Sequence, residues 1–161
     1  MRSDFVFDVA VVGGCGRVGL PLAIALAESG LEVAVHDIDR SALEKVKKGV
    51  MPFDEEGAQL VLSEVLSRGR LHATADPSVI GQAETVVIAV GTPVDEELRP
   101  DSTALDSAVE ACRANLRHGQ LFILRSTVFP GVTASFEKAL KSSGKNVDTA
   151  YCPERIAEGH A

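Results

Sequence analysis

The sequence predicts an α/β domain with a mainly parallel, six-stranded sheet, doubly wound so that helices cover both faces. Short runs of β-branched residues alternate with longer segments whose apolar residues recur at helical spacing, which is typical of strands joined by crossover helices. Apolar residues form 45% of the chain and charged residues 24%, the composition of a folded globular protein. Its 161 residues correspond to one domain, at roughly 150 residues per domain.

The predicted elements follow from this alternation, taken along the chain. The strands are predicted at residues 8–13, 31–36, 71–74, 85–90, 121–124 and 147–151. The first helix joins the first two strands, because Val18, Leu22 and Leu26 recur every four residues and Pro21 falls near its start. Further helices are predicted at 41–48, 55–67, 104–116 and 133–142. No internal repeat or linker divides the chain, and only the connection at 91–103 is long.

Charge and composition argue against several classes of function. The formal net charge is −7, which disfavours a nucleic-acid partner or an anionic membrane surface. No apolar run approaches the roughly 20 residues of a membrane span, and the N-terminus leads into a strand rather than a signal peptide. We therefore expect a cytoplasmic protein without nucleic-acid or membrane partners.

The three cysteines indicate neither a disulfide framework nor a metal site. Cys15, Cys112 and Cys152 lie far apart without a C-x-x-C pair, so no zinc or other metal site is predicted. Cys112 is expected in a helix core, and Cys152 is expected to pack in a loop. After the last strand, residues 152–161 resemble a loop that begins no closing element, so the chain is expected to be part of a longer protein.

A glycine-rich turn, Gly14-Cys15-Gly16-Arg17-Val18-Gly19, follows the first predicted strand and opens the first predicted helix. In this context G-x-G-x-x-G is typical of dinucleotide binding in a Rossmann-like fold. The first glycine allows a tight turn, the second lets a pyrophosphate approach the backbone, and the third lets helix and sheet pack closely. The helix N-terminus, around Arg17 and Val18, supplies N–H groups and positive potential. The alternative is a turn required only for packing.

An acidic residue at the end of the second predicted strand indicates which dinucleotide binds. Asp37 comes 18 residues after Gly19, where its carboxylate can accept hydrogen bonds from the adenosine ribose. The 2′-phosphate of NADP would face this negative charge, so NAD is the predicted cofactor. Arg40 could offset the repulsion, although a solvated arginine at a helix start is the simpler interpretation.

Three further segments follow predicted strands and should meet at the same edge of the sheet. They are Val90-Gly91-Thr92-Pro93, Arg125-Ser126-Thr127-Val128 and Cys152-Pro153-Glu154. Ligands of open α/β sheets bind outside the carboxyl ends of the strands, so these loops and the glycine-rich turn can line one crevice. Each segment alone could instead be an ordinary turn or cap, with Ser126 or Thr127 satisfying backbone donors.

In these segments the sequence resembles the nucleotide-sugar 6-dehydrogenases, the family that acts on UDP-glucose, UDP-N-acetylmannosamine and GDP-mannose. The resemblance spans the whole chain and includes Gly91-Thr92-Pro93, Ser126 to Gly131 and Tyr151 to Arg155. It implies that residues 1–161 are the NAD-binding domain of a longer enzyme. That enzyme would oxidise the C6 alcohol of a UDP-sugar to a carboxylate with two NAD, through a cysteine thioester, and would serve polysaccharide biosynthesis. The resemblance further implies a homodimer formed through a central region absent here.

The resemblance also assigns roles to single residues. Glu154 matches the glutamate that orders the reacting water, and Thr127 lies beside the nicotinamide half, so these two are the predicted catalytic residues. The predicted cofactor-binding residues are Gly14, Gly16, Arg17, Val18, Gly19, Asp37, Val90, Gly91, Thr92, Pro93, Ser126, Thr127 and Glu158. Glu158 matches UDP-glucose enzymes, whereas Tyr151-Cys152-Pro153-Glu154-Arg155 looks like the N-acetylmannosamine branch.

Several alternatives remain open at this point. Glu154 could simply pair with a cation such as Arg125 or Arg155. Arg17 stands where the family usually has an aromatic or aliphatic residue. The family's nucleophilic cysteine, lysine and asparagine would lie beyond this chain, which alone is expected to be inactive. The domain could also belong to another β-hydroxyacid-type dehydrogenase or to a non-enzymatic nucleotide sensor.

Overall fold

The computed structural model of the protein describes residues 4–92 and 101–155. Six strands alternate with five α-helices and one 3₁₀-helix. The strands are β1 Phe7–Val12, β2 Val33–His36, β3 Leu71–Thr74, β4 Ala83–Ile88, β5 Leu121–Leu124 and β6 Asp148–Tyr151. The α-helices are α1 Gly19–Glu28, α2 Arg40–Lys47, α3 Ala58–Ser67, α4 Thr103–Asn115 and α5 Val132–Lys141, and the 3₁₀-helix is Pro77–Gln82.

All six strands are parallel, in the order β3-β2-β1-β4-β5-β6. The order reverses direction at β1, which pairs with β2 on one side and β4 on the other. The sequence therefore predicted the doubly wound fold correctly, and the sheet is parallel throughout rather than mainly. Reversal at β1 opens a crevice at the carboxyl ends of β1 and β4, which is where this fold binds ligands.

Each face of the sheet has its own apolar core. Helices α1, α2 and α3 pack on one face, with buried Leu20, Leu43 and Leu62 against the valines of β1 and β2. Helices α4 and α5 cover the other face, where Phe122 and Leu124 of β5 are completely buried. Burial of both faces explains why inner strands such as β2 and β5 are nearly continuous apolar runs, whereas the edge strands β3 and β6 contain polar residues.

Two strands, β3 and β5, begin and end where the sequence predicts, and the others differ by one or two residues at one or both ends. The 3₁₀-helix was not predicted. It begins with Pro77 behind Asp76, whose carboxylate accepts a hydrogen bond from the Ser78 N–H at 2.9 Å. Helix α3 begins at Ala58, three residues later than predicted, because its N-cap Gly57 has a positive φ of 76°, which is not helical.

Near the amino ends of β4 and β5, a buried glutamine joins three segments of backbone. Gln120 is 1% exposed, and its amide nitrogen donates to the carbonyls of Ile80 and Ala83, each at 2.7 Å. Its amide oxygen accepts from the Arg117 N–H at 2.6 Å. This side chain therefore satisfies backbone groups of the 3₁₀-helix, β4 and the α4–β5 loop in one place.

Candidate functional site: the crevice at the carboxyl edge of the sheet

The glycine-rich turn is tied to the end of β2 by three N–H groups, those of Gly13, which precedes it, and of its first two residues, Gly14 and Cys15. The carbonyl of His36 accepts from Gly13 at 3.0 Å and from Gly14 at 3.1 Å, and the carboxylate of Asp37 accepts from Cys15 at 2.8 Å. The Gly16 N–H then donates to Gly13 at 3.2 Å. Because these donors serve the protein, N–H contacts to a phosphate must come from the residues after Gly16.

The glycines of the turn are required for different reasons. Gly13, which precedes the motif, is the left-handed residue of the turn, with φ 74°. A Cβ on Gly14 would lie 2.7 Å from the Val11 carbonyl oxygen, and one on Gly19 would lie 2.4 Å from that of Gly13. The close helix–sheet packing predicted for Gly19 is therefore present, whereas the tight turn predicted for Gly14 depends on Gly13.

Gly16 differs from its neighbours because the protein itself leaves space for a side chain there. A Cβ on Gly16 would meet only the Gly13 carbonyl oxygen, at 3.4 Å. Gly16 is exposed and lines the crevice. The lack of a side chain at this position therefore keeps space open for something outside the protein, as a closely approaching pyrophosphate requires.

Helix α1 begins at this turn without a competing anion. Val18 occupies its N-cap without a side-chain cap bond, and no acidic residue lies in its first turn. The positive end of the helix dipole therefore faces the crevice unopposed by a capping carboxylate.

Asp37 directly follows β2 and makes two backbone contacts. Besides the Cys15 N–H, its carboxylate accepts from the Asp39 N–H at 3.0 Å. A carboxylate has about four acceptor positions, so these two bonds leave capacity for ribose hydroxyls. Asp37 thus joins the turn that would hold the pyrophosphate to the position that would bind the adenosine ribose.

The crevice has a volume of about 330 Å³ and is bounded by four segments of chain. The crevice brings together most of the residues that the sequence predicts to bind the cofactor or take part in catalysis. Its lining residues are Gly16, Arg17, Val18, Ala89, Val90, Gly91, Thr92, Arg125, Ser126, Thr127 and Glu154. A larger hollow of about 450 Å³ follows the outside of α5, but all the residues that line it belong to α5 and its C-cap. The site is therefore assigned to the smaller crevice, where several strand ends converge.

Two hydroxyl groups fix the β4 and β5 loops to each other. Ser126 donates to the Val90 carbonyl and Thr92 donates to the Thr127 carbonyl, both at 2.7 Å. Ser126 is buried, whereas Thr127 is exposed on the crevice wall. These bonds show that Ser126 and Thr92 position the wall by linking neighbouring loops, rather than by capping a helix.

Glu154 is paired with Arg125 across the crevice floor. The Arg125 Nη2 lies 2.5 Å from a Glu154 carboxylate oxygen, with the two side chains 23% and 20% exposed. The Glu154 N–H donates to the Arg125 carbonyl at 3.2 Å, and the second carboxylate oxygen accepts from the Arg155 N–H at 2.6 Å. The pairing considered as an alternative role for Glu154 is therefore present, and it also fixes both carboxylate oxygens at the crevice.

Burial shifts the pKa values of two groups near the site. Burial, with the charges of Asp37 and Asp39, raises the pKa of the Cys15 thiol to about 12, so this thiol stays protonated at neutral pH. Burial also lowers the pKa of His36 below its ordinary value, with Asp37 opposing the shift. The His36 Nδ1 is buried and has no hydrogen-bond partner within the described part of the chain.

The other two cysteines differ from each other. Cys112 is completely buried in α4, as predicted, and burial raises its pKa to about 12. Cys152 is exposed, so the prediction that it packs in its loop was wrong. Its N–H continues the ladder beyond β6 by donating to the Leu124 carbonyl at 2.9 Å.

Some predicted residues lie outside the described ranges, and some contributors were not predicted. Pro93 and Glu158 fall at positions that the structure does not describe. Arg125 was predicted only as part of a loop lining the crevice and as a possible partner of Glu154, without a binding role of its own, and Gly13, Ala89 and Phe53 were not considered. Arg125 could have been found because it directly follows a strand, but the Arg17–Phe53 contact joins residues 36 positions apart, which no local pattern indicates.

Within residues 4–92 and 101–155, no cluster of three or more His, Cys, Asp or Glu side chains could hold a metal ion. No helix in the same part of the chain is long and apolar enough to cross a membrane.

Comparison with known sequences decides the family. The pattern of the UDP-glucose/GDP-mannose dehydrogenase family, NAD binding domain, matches residues 7–161. The chain belongs to this family. It is therefore an NAD-binding domain of nucleotide-sugar dehydrogenase type, as the sequence predicted, and NAD is its cofactor.

Individual relatives agree with the family match. The chain is 32% identical to the UDP-N-acetyl-D-mannosamine dehydrogenase of Methanococcus aeolicus over 92% of its own length and 34% of that enzyme's. Its fold matches the UDP-D-ManNAc dehydrogenase of Pyrococcus horikoshii with a TM-score of 0.88 and 32% identity, over 94% of this chain and 37% of the other. Its fold also matches the UDP-glucose dehydrogenase of Pyrobaculum islandicum, with a TM-score of 0.88 and 29% identity. That match covers 100% of this chain and 39% of the other. The chain thus spans little more than a third of the length of these relatives.

Proposed function

We propose that this chain forms the NAD-binding part of an enzyme that oxidises the C6 alcohol of a UDP-sugar to a carboxylate. The observation that carries the proposal is the single crevice in which the glycine-rich turn meets Thr127 and Glu154. A turn built only for packing would not need an acidic side chain held at the opposite wall. The family match supports the reaction class.

The crevice fits a dinucleotide on three counts. Gly16 leaves open the space that a Cβ would fill, α1 begins without a capping side chain, and Asp37 retains acceptor capacity beside the turn. We assign the pyrophosphate to Gly16, Arg17, Val18 and Gly19, and the adenosine ribose to Asp37. Val90, Gly91, Thr92, Ser126 and Thr127 would border the nicotinamide half, and bound NAD would accept hydride from the sugar carbon.

Glu154 would orient the water that hydrolyses the thioester formed by the second oxidation. Its carboxylate is fixed by Arg125 and by the Arg155 N–H, so it holds a constant direction at the crevice. A fixed, ionised carboxylate can accept a proton from water positioned against the reacting carbon. Cys15 and Cys112 do not compete for the nucleophile's role, because their raised pKa values keep both thiols protonated.

The sugar is expected to be a hexose or N-acetylhexosamine carried on UDP. The relatives named for UDP-N-acetylmannosamine support an N-acetylated substrate, as does the Tyr151 to Arg155 segment. The whole enzyme would be cytoplasmic, would act in polysaccharide biosynthesis and would form a homodimer outside these 161 residues.

Two measurements test the proposed function. Calorimetry on the 161-residue chain should show NAD binding, while the same chain should not reduce NAD in the presence of any UDP-sugar. In the longer enzyme, Glu154→Gln should lower turnover by about 10² to 10⁴-fold at saturating NAD, the usual contribution of a positioned acid or base. Glutamine can accept from only one of Arg125 and the Arg155 N–H, so a melting temperature and an NAD affinity equal to those of the wild type are needed to assign the lost turnover to the missing charge.

The matched control is Glu137→Gln on α5, which removes an ion-paired glutamate remote from the crevice. Its turnover should equal that of the wild type. Unchanged turnover in Glu154→Gln would show that Glu154 takes no part in the chemistry. Steady NAD reduction by the 161-residue chain alone would contradict the expectation that the other catalytic residues lie beyond it.

A further inference from the structure

Arg17 lies at the mouth of the crevice and contacts an aromatic ring from a distant segment. It is an exposed residue of the glycine-rich turn and lines the crevice beside Gly16. Its guanidinium carbon lies 5.3 Å from the centroid of the Phe53 ring. Phe53 belongs to the connection between α2 and α3, so the contact joins this connection to the turn.

The Phe53 ring is a fixed platform rather than a loose side chain. It is half-buried and packs against the core on the α1 face of the sheet. Its segment is also held by Gln59 of α3, whose amide oxygen accepts from the Met51 N–H at 3.0 Å and whose amide nitrogen donates to the Gly49 carbonyl. The core contacts of the ring and the hydrogen bonds of Gln59 therefore both hold Phe53 in place beneath the guanidinium.

Attraction to an aromatic face holds a guanidinium through its charge, so this contact does not itself use an N–H donor. The planar fork of arginine matches the paired oxygens of a phosphate, and ordering the fork in advance lowers the entropic cost of binding. Two arginines are among the described residues that line the crevice: Arg125, which contacts Glu154, and Arg17, which lies over the Phe53 ring beside Gly16.

We propose that Arg17 and Phe53 form a clamp for the pyrophosphate of a bound dinucleotide, in which Phe53 orders the guanidinium and Arg17 contacts the phosphate oxygens. The proposal rests on the proposed function, because it takes the dinucleotide to lie along the glycine-rich turn. It adds a charged side-chain contact to a site otherwise formed by backbone, in a protein whose net charge of −7 repels anions.

A double-mutant cycle on the 161-residue chain tests the clamp, with NAD affinity measured by calorimetry. Arg17→Gln should weaken NAD by about 10- to 150-fold, the range for a hydrogen bond to a charged group. Phe53→Leu should weaken it by about 2- to 5-fold, and Phe53→Tyr, which keeps the ring face, should retain wild-type affinity. In the Arg17→Gln background, Phe53→Leu should cause no further loss. Melting temperatures establish that each variant is folded.

The choice of ligand locates the contact. ADP-ribose contains the pyrophosphate but not nicotinamide, so Arg17→Gln should weaken ADP-ribose and NAD by the same factor. The matched control is Arg68→Gln, which removes an equal charge from an exposed ion pair on α3 and should leave NAD affinity unchanged.

Each contrary result has a distinct meaning. Equal NAD affinity in wild type and Arg17→Gln overturns the clamp alone. If Arg17→Gln lowers the affinity for NAD but not that for ADP-ribose, the pyrophosphate contact is overturned. If Phe53→Leu lowers NAD affinity by the same factor with and without Arg17, the role of the ring is overturned. Failure of the wild-type chain to bind NAD would instead contradict the proposed function.

Discussion

The two ends of the sheet use polar side chains in opposite ways. At the amino end, Gln120 is 1% exposed and its three hydrogen bonds all go to backbone groups of the protein. At the carboxyl end, Asp37, Arg125 and Glu154 are also held by protein partners, but Arg125 and Glu154 border an open crevice. The Arg125 Nε is buried without a partner among the described residues, whereas Gln120 has partners for both of its amide atoms.

This difference separates what stabilises the domain from what the domain offers to a ligand. Polar groups at the amino end satisfy one another, so they contribute to folding and leave no capacity for binding. Polar groups at the carboxyl end are oriented by a few bonds and keep part of their capacity. Substitutions at the two ends should therefore change different measurements.

The largest effect is expected at the amino end. Gln120→Leu would remove the side-chain partner of the Ala83 carbonyl and the Arg117 N–H, whereas the Ile80 carbonyl would keep its bond from the Ala83 N–H. Each unsatisfied buried group costs about 1–3 kcal/mol, so the loss of this partner at two groups should lower the free energy of unfolding by about 2–6 kcal/mol, measured with urea. NAD affinity of the folded fraction should be unchanged.

Gln59 provides the matched control, because it makes the same type of bridge in an exposed position. Its side chain joins Gly49 and Met51, where water can replace the lost bonds. Gln59→Leu should therefore cost about 1 kcal/mol or less. Equal losses from the two variants would show that burial does not distinguish the two bridges.

The sequence predicts the elements best where a single physical signal decides them. Strand β5 is a short apolar run and β3 alternates buried Leu71 and Ala73 with polar residues, and the bounds of both match the predictions. The 3₁₀-helix was missed because Asp76, Pro77 and Ser78 also suit an ordinary turn. It is stabilised by burial of Val79 and Ile80 and by the distant Gln120, and neither can be seen in a local window.

Prediction of the site follows the same rule. The glycine-rich turn and the loops after β4 and β5 were found because parallel strands place their carboxyl ends together. The pairing of Arg125 with Glu154 depends on β5 and β6 being neighbours, so the sequence could offer it only as one of two options. The role of Phe53 depends on packing between separate segments, and the sequence does not indicate it.

At the carboxyl end, Asp37 should affect binding more than stability. Asp37→Ala should weaken NAD by about 10- to 150-fold, corresponding to about 1.5–3 kcal/mol for charge-assisted hydrogen bonds, and should narrow the preference over NADP. Asp37→Asn keeps an acceptor for the Cys15 N–H but removes the charge. This variant should preserve the turn but lose the preference for NAD over NADP, as measured by calorimetry with both dinucleotides. Wild-type protein that binds NADP as tightly as NAD would contradict the assignment.

The two glycines that flank Arg17 and Val18 test the comparison within a single turn. Gly19→Ala would place a Cβ 2.4 Å from the Gly13 carbonyl oxygen and 2.8 Å from the Gly14 Cα, so neighbouring backbone must move. Such overpacking typically costs about 1–3 kcal/mol, and urea unfolding should show this loss. Gly16→Ala adds the same methyl group where the nearest protein atom is 3.4 Å away. The free energy of unfolding of Gly16→Ala should stay within about 0.5 kcal/mol of the wild-type value, as for other surface substitutions.

Binding of NAD should respond to Gly16→Ala even though stability does not. The added methyl group would occupy the space assigned to the pyrophosphate, so NAD affinity should fall by about 10-fold, or 1.4 kcal/mol. If Gly16→Ala bound NAD as tightly as the wild type, the pyrophosphate would have to lie elsewhere, and the open space at Gly16 would be unrelated to binding.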